Sequence, residues 1–127
     1  MRKFLSVVAG AAVAIASLLA IETLGHLINP SAVPPGGVPD VAAMNTPAKL
    51  WVVAGWFLAT LAGAVTALRV SAWRPAAWTV GVLVLAGGVA NIVMIPHPFW
   101  MQTAALFAPA LAVLVAERLT TRRTRAA

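Results

Sequence analysis

Four stretches of this chain, about residues 4–28, 48–70, 76–95 and 99–116, are apolar and carry few charges. Each is close to the roughly 20 apolar residues that a helix needs to cross a bilayer core. A soluble chain of 127 residues could not hide so much apolar surface from water. Charged residues make up only 9% of the chain, against about 25% in ordinary soluble domains. A soluble helical bundle would also need a polar face along each helix, and these segments lack one. In lipid, each backbone N–H and C=O must find its partner within the segment or a closed barrel. The expected class is therefore all-α: an integral membrane four-transmembrane-helix antiparallel bundle, one domain over residues 1–127.

The connections are marked by helix breakers. Residues 29–46 contain Pro30, Pro34, Pro35, Gly36, Gly37, Pro39 and Asp40. These remove backbone donors and restrict φ, so no regular structure is expected there. Asn45 or Thr46 offers an N-cap for the second helix, with Pro47 at or near its first position. Arg69, Ser71, Arg74 and Pro75 make a short basic turn, and Pro96-His97-Pro98 breaks the chain before the fourth helix. Pro109, inside that helix, cannot donate to the ladder and should bend it. The cationic tail 117–127 is expected to fray. Arg2 and Lys3 ahead of an apolar run resemble the start of a secretory leader. The uninterrupted run Phe4–Ile21 exceeds a typical leader core, and helical spacing continues beyond it, so an uncleaved span is expected.

The net charge is +6 and the pI is near 11.9. The basic residues flank the apolar segments instead of forming a stripe interleaved with aromatics, so a nucleic-acid partner is not expected. Eight of the nine Lys and Arg residues fall on one side of the expected bundle, and Lys49 alone on the other. The positive-inside rule then places both termini in the cytoplasm of a bacterial inner membrane, N-in and C-in, with residues 29–46 and 96–98 outside. Trp51 and Trp100 fall at the outer interface, Trp73 and Trp78 at the inner one. Arg118, Arg122, Arg123 and Arg125 read as an anchor for anionic lipids on the cytoplasmic side. The absence of cysteine excludes disulfides, Cys-ligated zinc, iron–sulfur clusters, c-type haem attachment and thiol chemistry.

On the second helix Gly55, Ala59, Gly63 and Ala67 recur every four residues. Such a stripe lets another helix approach closely, either within the bundle or in a homo-oligomer or a membrane partner.

The residues that carry chemistry are few. Glu22 and His26, four apart, share one face of the first helix. An ionisable side chain in a bilayer is costly and by default suggests a functional site. With the expected topology, Glu22 lies about 9 Å inside the outer helix end, Asn91 about 6 Å and Gln102 about 5 Å. His26 and His97 lie nearer the surface. These five residues are expected to gather into one outward-facing polar layer, with Gly25 leaving space beside it. Trp51, Trp56, Phe99 and Trp100 could wall it.

Such a layer supports several chemistries. A pocket for a small molecule or lipid headgroup needs only a few convergent polar groups in an apolar setting. Proton or solute movement needs polar residues across the whole bilayer, and the inner half offers only Ser17, Thr60, Thr66 and Thr79. Glu22, His26 and His97 form an N,N,O set compatible with a divalent metal, without a diagnostic spacing. Bis-histidine haem would require both histidines on facing helices. Alternatively, Glu22 pairs with His26, and Asn91 with Gln102, only to clamp the helices of a non-catalytic accessory or assembly subunit. The reading adopted is an outward-facing site that binds, or helps move, a small ligand, ion or proton, with no catalytic residue assigned.

The segment Glu22-Thr-Leu-Gly-His26, followed by a proline-rich loop, and the turn Pro96-His97-Pro98-Phe99-Trp100 resemble a group of small bacterial four-helix membrane proteins. The resemblance implies a four-helix inner-membrane protein and carries no activity, cofactor or substrate. In size and span number the chain is also similar to DoxX-like and emopamil-binding-type proteins, whose motifs do not map onto residues here.

Overall fold

A computed structural model describes residues 1–29 and 40–126, with side chains through Thr121. It holds four helices: α1 (Arg2–Ile28), α2 (Thr46–Ser71), α3 (Arg74–Met94) and α4 (Phe99–Ala126). All four contain segments long and apolar enough to cross a membrane. Part of the breaker-rich loop, residues 30–39, lies outside the described residues, as do the side chains of Arg122, Arg123 and Arg125.

The helix ends follow local chemistry. Asn45 caps α2, its side chain accepting from the Ala48 N–H at 2.9 Å, with Pro47 in the first turn. Just before it, the Asp40 carboxylate accepts from the N–H groups of Ala42 and Ala43 and closes a turn. At its other end α2 stops at Ala72, which takes a left-handed conformation (φ 52°) and donates its N–H to the Leu68 carbonyl. The tail does not leave the helix at residue 117 as expected. It continues α4 through Ala126, with Pro109 inside it. Nothing in the segment 117–126 breaks a helix, whereas proline and glycine dominate the loop that precedes α2.

Contacts between distant residues set the helix directions. Arg2 Nε donates to the Val70 carbonyl, Ser71 Oγ to Ser6 Oγ, and Arg74 to Glu117. The start of α1, the end of α2, the start of α3 and Glu117 of α4 therefore share one end of the bundle, the arginine end. At the opposite, loop end Trp51 bonds to Ile21 and Trp56 lies against His97. Helices α2 and α3 each touch the other three, while α1 and α4 occupy far corners.

Small residues set how closely α1 and α2 approach. Ser6, Gly10 and Ala14 are the buried face of α1. Gly10 meets Gly63 and Ala67 of the stripe, Ala14 meets Gly63, and Gly55 meets Leu18 and Ile21 farther along α1; all four stripe residues, Ala59 included, are buried. A Cβ on Gly63 would lie 2.5 Å from the Gly10 carbonyl oxygen and 2.8 Å from the Ala14 Cβ. The stripe is thus used inside the bundle. Packing of this kind gains dispersion contacts that lipid tails cannot match against a rough helix surface.

Candidate functional site

At the loop end a cleft of about 810 Å³ opens between α1, α2, α3 and the turn before α4. Glu22 and His26 reach it from α1, Asn91 from α3, and His97 from the turn. Four residues from three separate segments therefore share one wall system. Its apolar lining includes Val41, Met44, Trp51 and Val52. A few polar groups in such a lining are the usual form of a small-molecule site.

The fifth expected residue, Gln102, does not line the cleft. Its Nε2 donates to the His97 carbonyl at 2.8 Å and so fixes the Pro96–Pro98 turn. The His97 ring is held as well: Nδ1 lies 2.6 Å from the Ile95 carbonyl. A carbonyl only accepts, so that nitrogen carries the proton and a neutral ring keeps Nε2 as an acceptor. The Trp56 ring, 6.2 Å away and tilted by 44°, closes the other side of the imidazole.

Gly25 does not leave open space. The Trp51 indole fills it, and a Cβ there would sit 2.6 Å from the ring. Trp51 Nε1 donates to the Ile21 carbonyl at 2.7 Å, which locks the indole of α2 against α1 as part of the cleft wall. Of the four expected aromatic walls only Trp51 lines the cleft. Trp56 is buried behind His97, while Phe99 and Trp100 are exposed.

The pairings of the alternative reading make no hydrogen bond. Glu22 and His26 make no hydrogen bond or ion pair with one another, and Gln102 is turned away from Asn91 toward His97. Asn91 Oδ1 is buried with no hydrogen-bond partner. A buried acceptor without a donor costs about 1–3 kcal/mol and marks a place where a donor is missing. Nor do Glu22, His26 and His97 converge on a metal. Among the described residues no three His, Cys, Asp or Glu side chains are close enough to hold one, because His97 turns into its own loop.

A second polar cluster sits at the arginine end and was not foreseen. Glu117 is buried and accepts both Arg74 Nε (2.9 Å) and Nη2 (2.6 Å), and also Trp78 Nε1 (3.1 Å). It ties α3 to α4 with a two-pronged ion pair. The sequence signal was a lone acid at the head of a basic tail, which reads as solvated until the helix is seen to continue. Around it, Arg69, Arg74 and Arg118 border an open cleft of about 1460 Å³. Lys3 also lies over the Trp73 ring, 5.2 Å from its centre, at this end.

No family model, curated protein or solved structure matches this chain. The chemistry of the site therefore has to be read from its own geometry.

Proposed function

We propose that this chain is a multi-pass protein of a bacterial inner membrane that binds a small ligand from the outer side. The arginine end, with both termini, faces the cytoplasm, where anionic lipids hold it, and the loop-end cleft faces out. The observation that carries the reading is the gathering of Glu22, His26, Asn91 and His97 around one open cleft, with Asn91 Oδ1 buried there and unpartnered. Polar groups that served only to clamp helices would spend their hydrogen bonds on one another, and these do not.

The ligand must bring donors. Glu22 as carboxylate, Asn91 Oδ1 and His97 Nε2 all accept. Among the described residues the groove that leads on toward the arginine end is apolar beyond Glu22 and Asn91, so binding fits better than conduction. The test is retention of small molecules by protein purified in mild detergent, read by mass spectrometry. Wild type should retain a ligand that Glu22→Gln loses while remaining folded in the membrane. Equal retention by the two proteins would sink the assignment. Orientation is testable separately because the chain has no cysteine. Ala42→Cys should react with an impermeant maleimide added outside, and Thr121→Cys should not.

A further inference from the structure

A groove of about 910 Å³ runs along the seam between α1 and α3 and meets the cleft at two shared residues, Glu22 and Asn91. The two helices touch near the arginine end, where a Cβ on Gly10 would lie 2.8 Å from Val80 Cγ2. They part toward the loop end. By Gly87 there is nothing within 4 Å of where a Cβ would be. Between these points the walls are apolar: Ala11, Ile15 and Leu18 on one side, Leu83 and Val84 on the other.

The dimensions are those of one leaflet. From Ala11 to Glu22, and likewise from Val80 to Asn91, is eleven residues, about 16 Å at 1.5 Å per residue. Half of a hydrocarbon core of about 30 Å is about 15 Å. The groove is an apolar slot one acyl chain long whose lining ends at Glu22 and Asn91, the amide oxygen of Asn91 being buried and unpartnered. Nearby positive charge is sparse: the loop end carries only Lys49 of the nine Lys and Arg residues, and its Nζ is bonded to the Ala42 carbonyl at 3.2 Å. His26 and His97 are the other titratable groups facing the cleft.

We propose that the ligand is an outer-leaflet lipid with a primary ammonium headgroup. One acyl chain lies in the α1–α3 groove, and the ammonium sits between Glu22 and Asn91. This rests on the cleft being a binding site and goes further by naming the ligand class. A primary ammonium brings three N–H donors and a positive charge to two acceptors, one of them anionic. A trimethylated headgroup brings the charge without the donors, and phosphatidylglycerol brings hydroxyl donors without the positive charge. The chain in the groove would replace loose lipid packing against two glycines with a fitted contact.

The experiment uses the full chain in nanodiscs of phosphatidylcholine containing phosphatidylethanolamine or phosphatidylglycerol as minor component. Lipid retained after extraction is counted by native mass spectrometry. Wild type should keep about one phosphatidylethanolamine and select it over phosphatidylcholine by about tenfold, the order of a charge-assisted hydrogen bond. Glu22→Gln should erase that selection, and Gly87→Leu, which fills the slot, should abolish retention without lowering the melting temperature. A phosphatidylethanolamine with a photoreactive group at its chain end should cross-link near Ala11, Ile15 or Val84. Wild type without headgroup selection, retention by Gly87→Leu equal to wild type, or cross-links elsewhere would each overturn the proposal. Ethanolamine alone separates the two readings. If it binds the cleft while no lipid is kept, the lipid assignment fails and the binding site stands. If neither binds, both fail.

Discussion

Two glycine-to-alanine substitutions should move stability in opposite directions. In a helix interior alanine is favoured over glycine by about 0.8–1 kcal/mol. At Gly87 the new methyl meets nothing within 4 Å, so Gly87→Ala should gain about that amount. At Gly63 the methyl would stand 2.5 Å from the Gly10 carbonyl oxygen, 2.8 Å from Ala14 Cβ and 3.0 Å from Val80 Cγ1. Ordinary contact begins at 3.4 Å, so α1 must retreat by about 0.9 Å. The nearest atom is backbone and cannot rotate aside. A gap of that size forfeits roughly a quarter to a half of each contact along the seam, and overpacking of this kind typically costs about 1–3 kcal/mol. Gly63→Ala should therefore lose up to about 2 kcal/mol net, leaving the two variants about 1–3 kcal/mol apart. Reversible unfolding in mixed micelles, titrated with a denaturing detergent, measures this difference. Equal gains at both sites would refute the close approach of α1 and α2.

Three further outcomes are expected. Trp51→Phe removes the donor to the Ile21 carbonyl and should cost about 0.5–1.5 kcal/mol in the same assay. Ala72→Gly relieves a left-handed alanine at φ 52° and should stabilise by about 1 kcal/mol, the order of the strain that a Cβ adds there. Glu117→Ala leaves the Trp78 N–H and Arg74 without their acceptor and should lower the melting temperature more than Glu117→Gln, which keeps an amide oxygen. Equal losses would argue that the tie between α3 and α4 is not carried by hydrogen bonding to that oxygen.

The Asn45 cap and Pro47 in the first turn of α2 were legible because they depend on neighbours within a few residues. The same is true of the four apolar helices and of the sidedness of the arginines. Hydropathy and capping are local properties, and four long apolar segments leave a chain few options. The convergence of Glu22, His26, Asn91 and His97 was legible in part, since alternating helices bring their depths together. Rotation about each helix axis was not legible. These helices are apolar nearly all round, so hydropathy does not say which face turns inward. The small residues decide that: Gly10, Ala14 and Gly63 draw α1 onto α2 and orient Glu22 toward the cleft.

From the order of residues alone came the element types, the cap of α2 and the basic end of the bundle, but not the extension of α4 through Ala126. The tertiary structure decided the rest. It turned Gln102 to the His97 carbonyl, set Trp51 into the space beside Gly25, left Asn91 Oδ1 without a donor, and opened the seam between α1 and α3. The physical reason is that close packing is a property of pairs of surfaces. A glycine buried against a backbone carbonyl and a glycine facing an empty groove are written with the same letter.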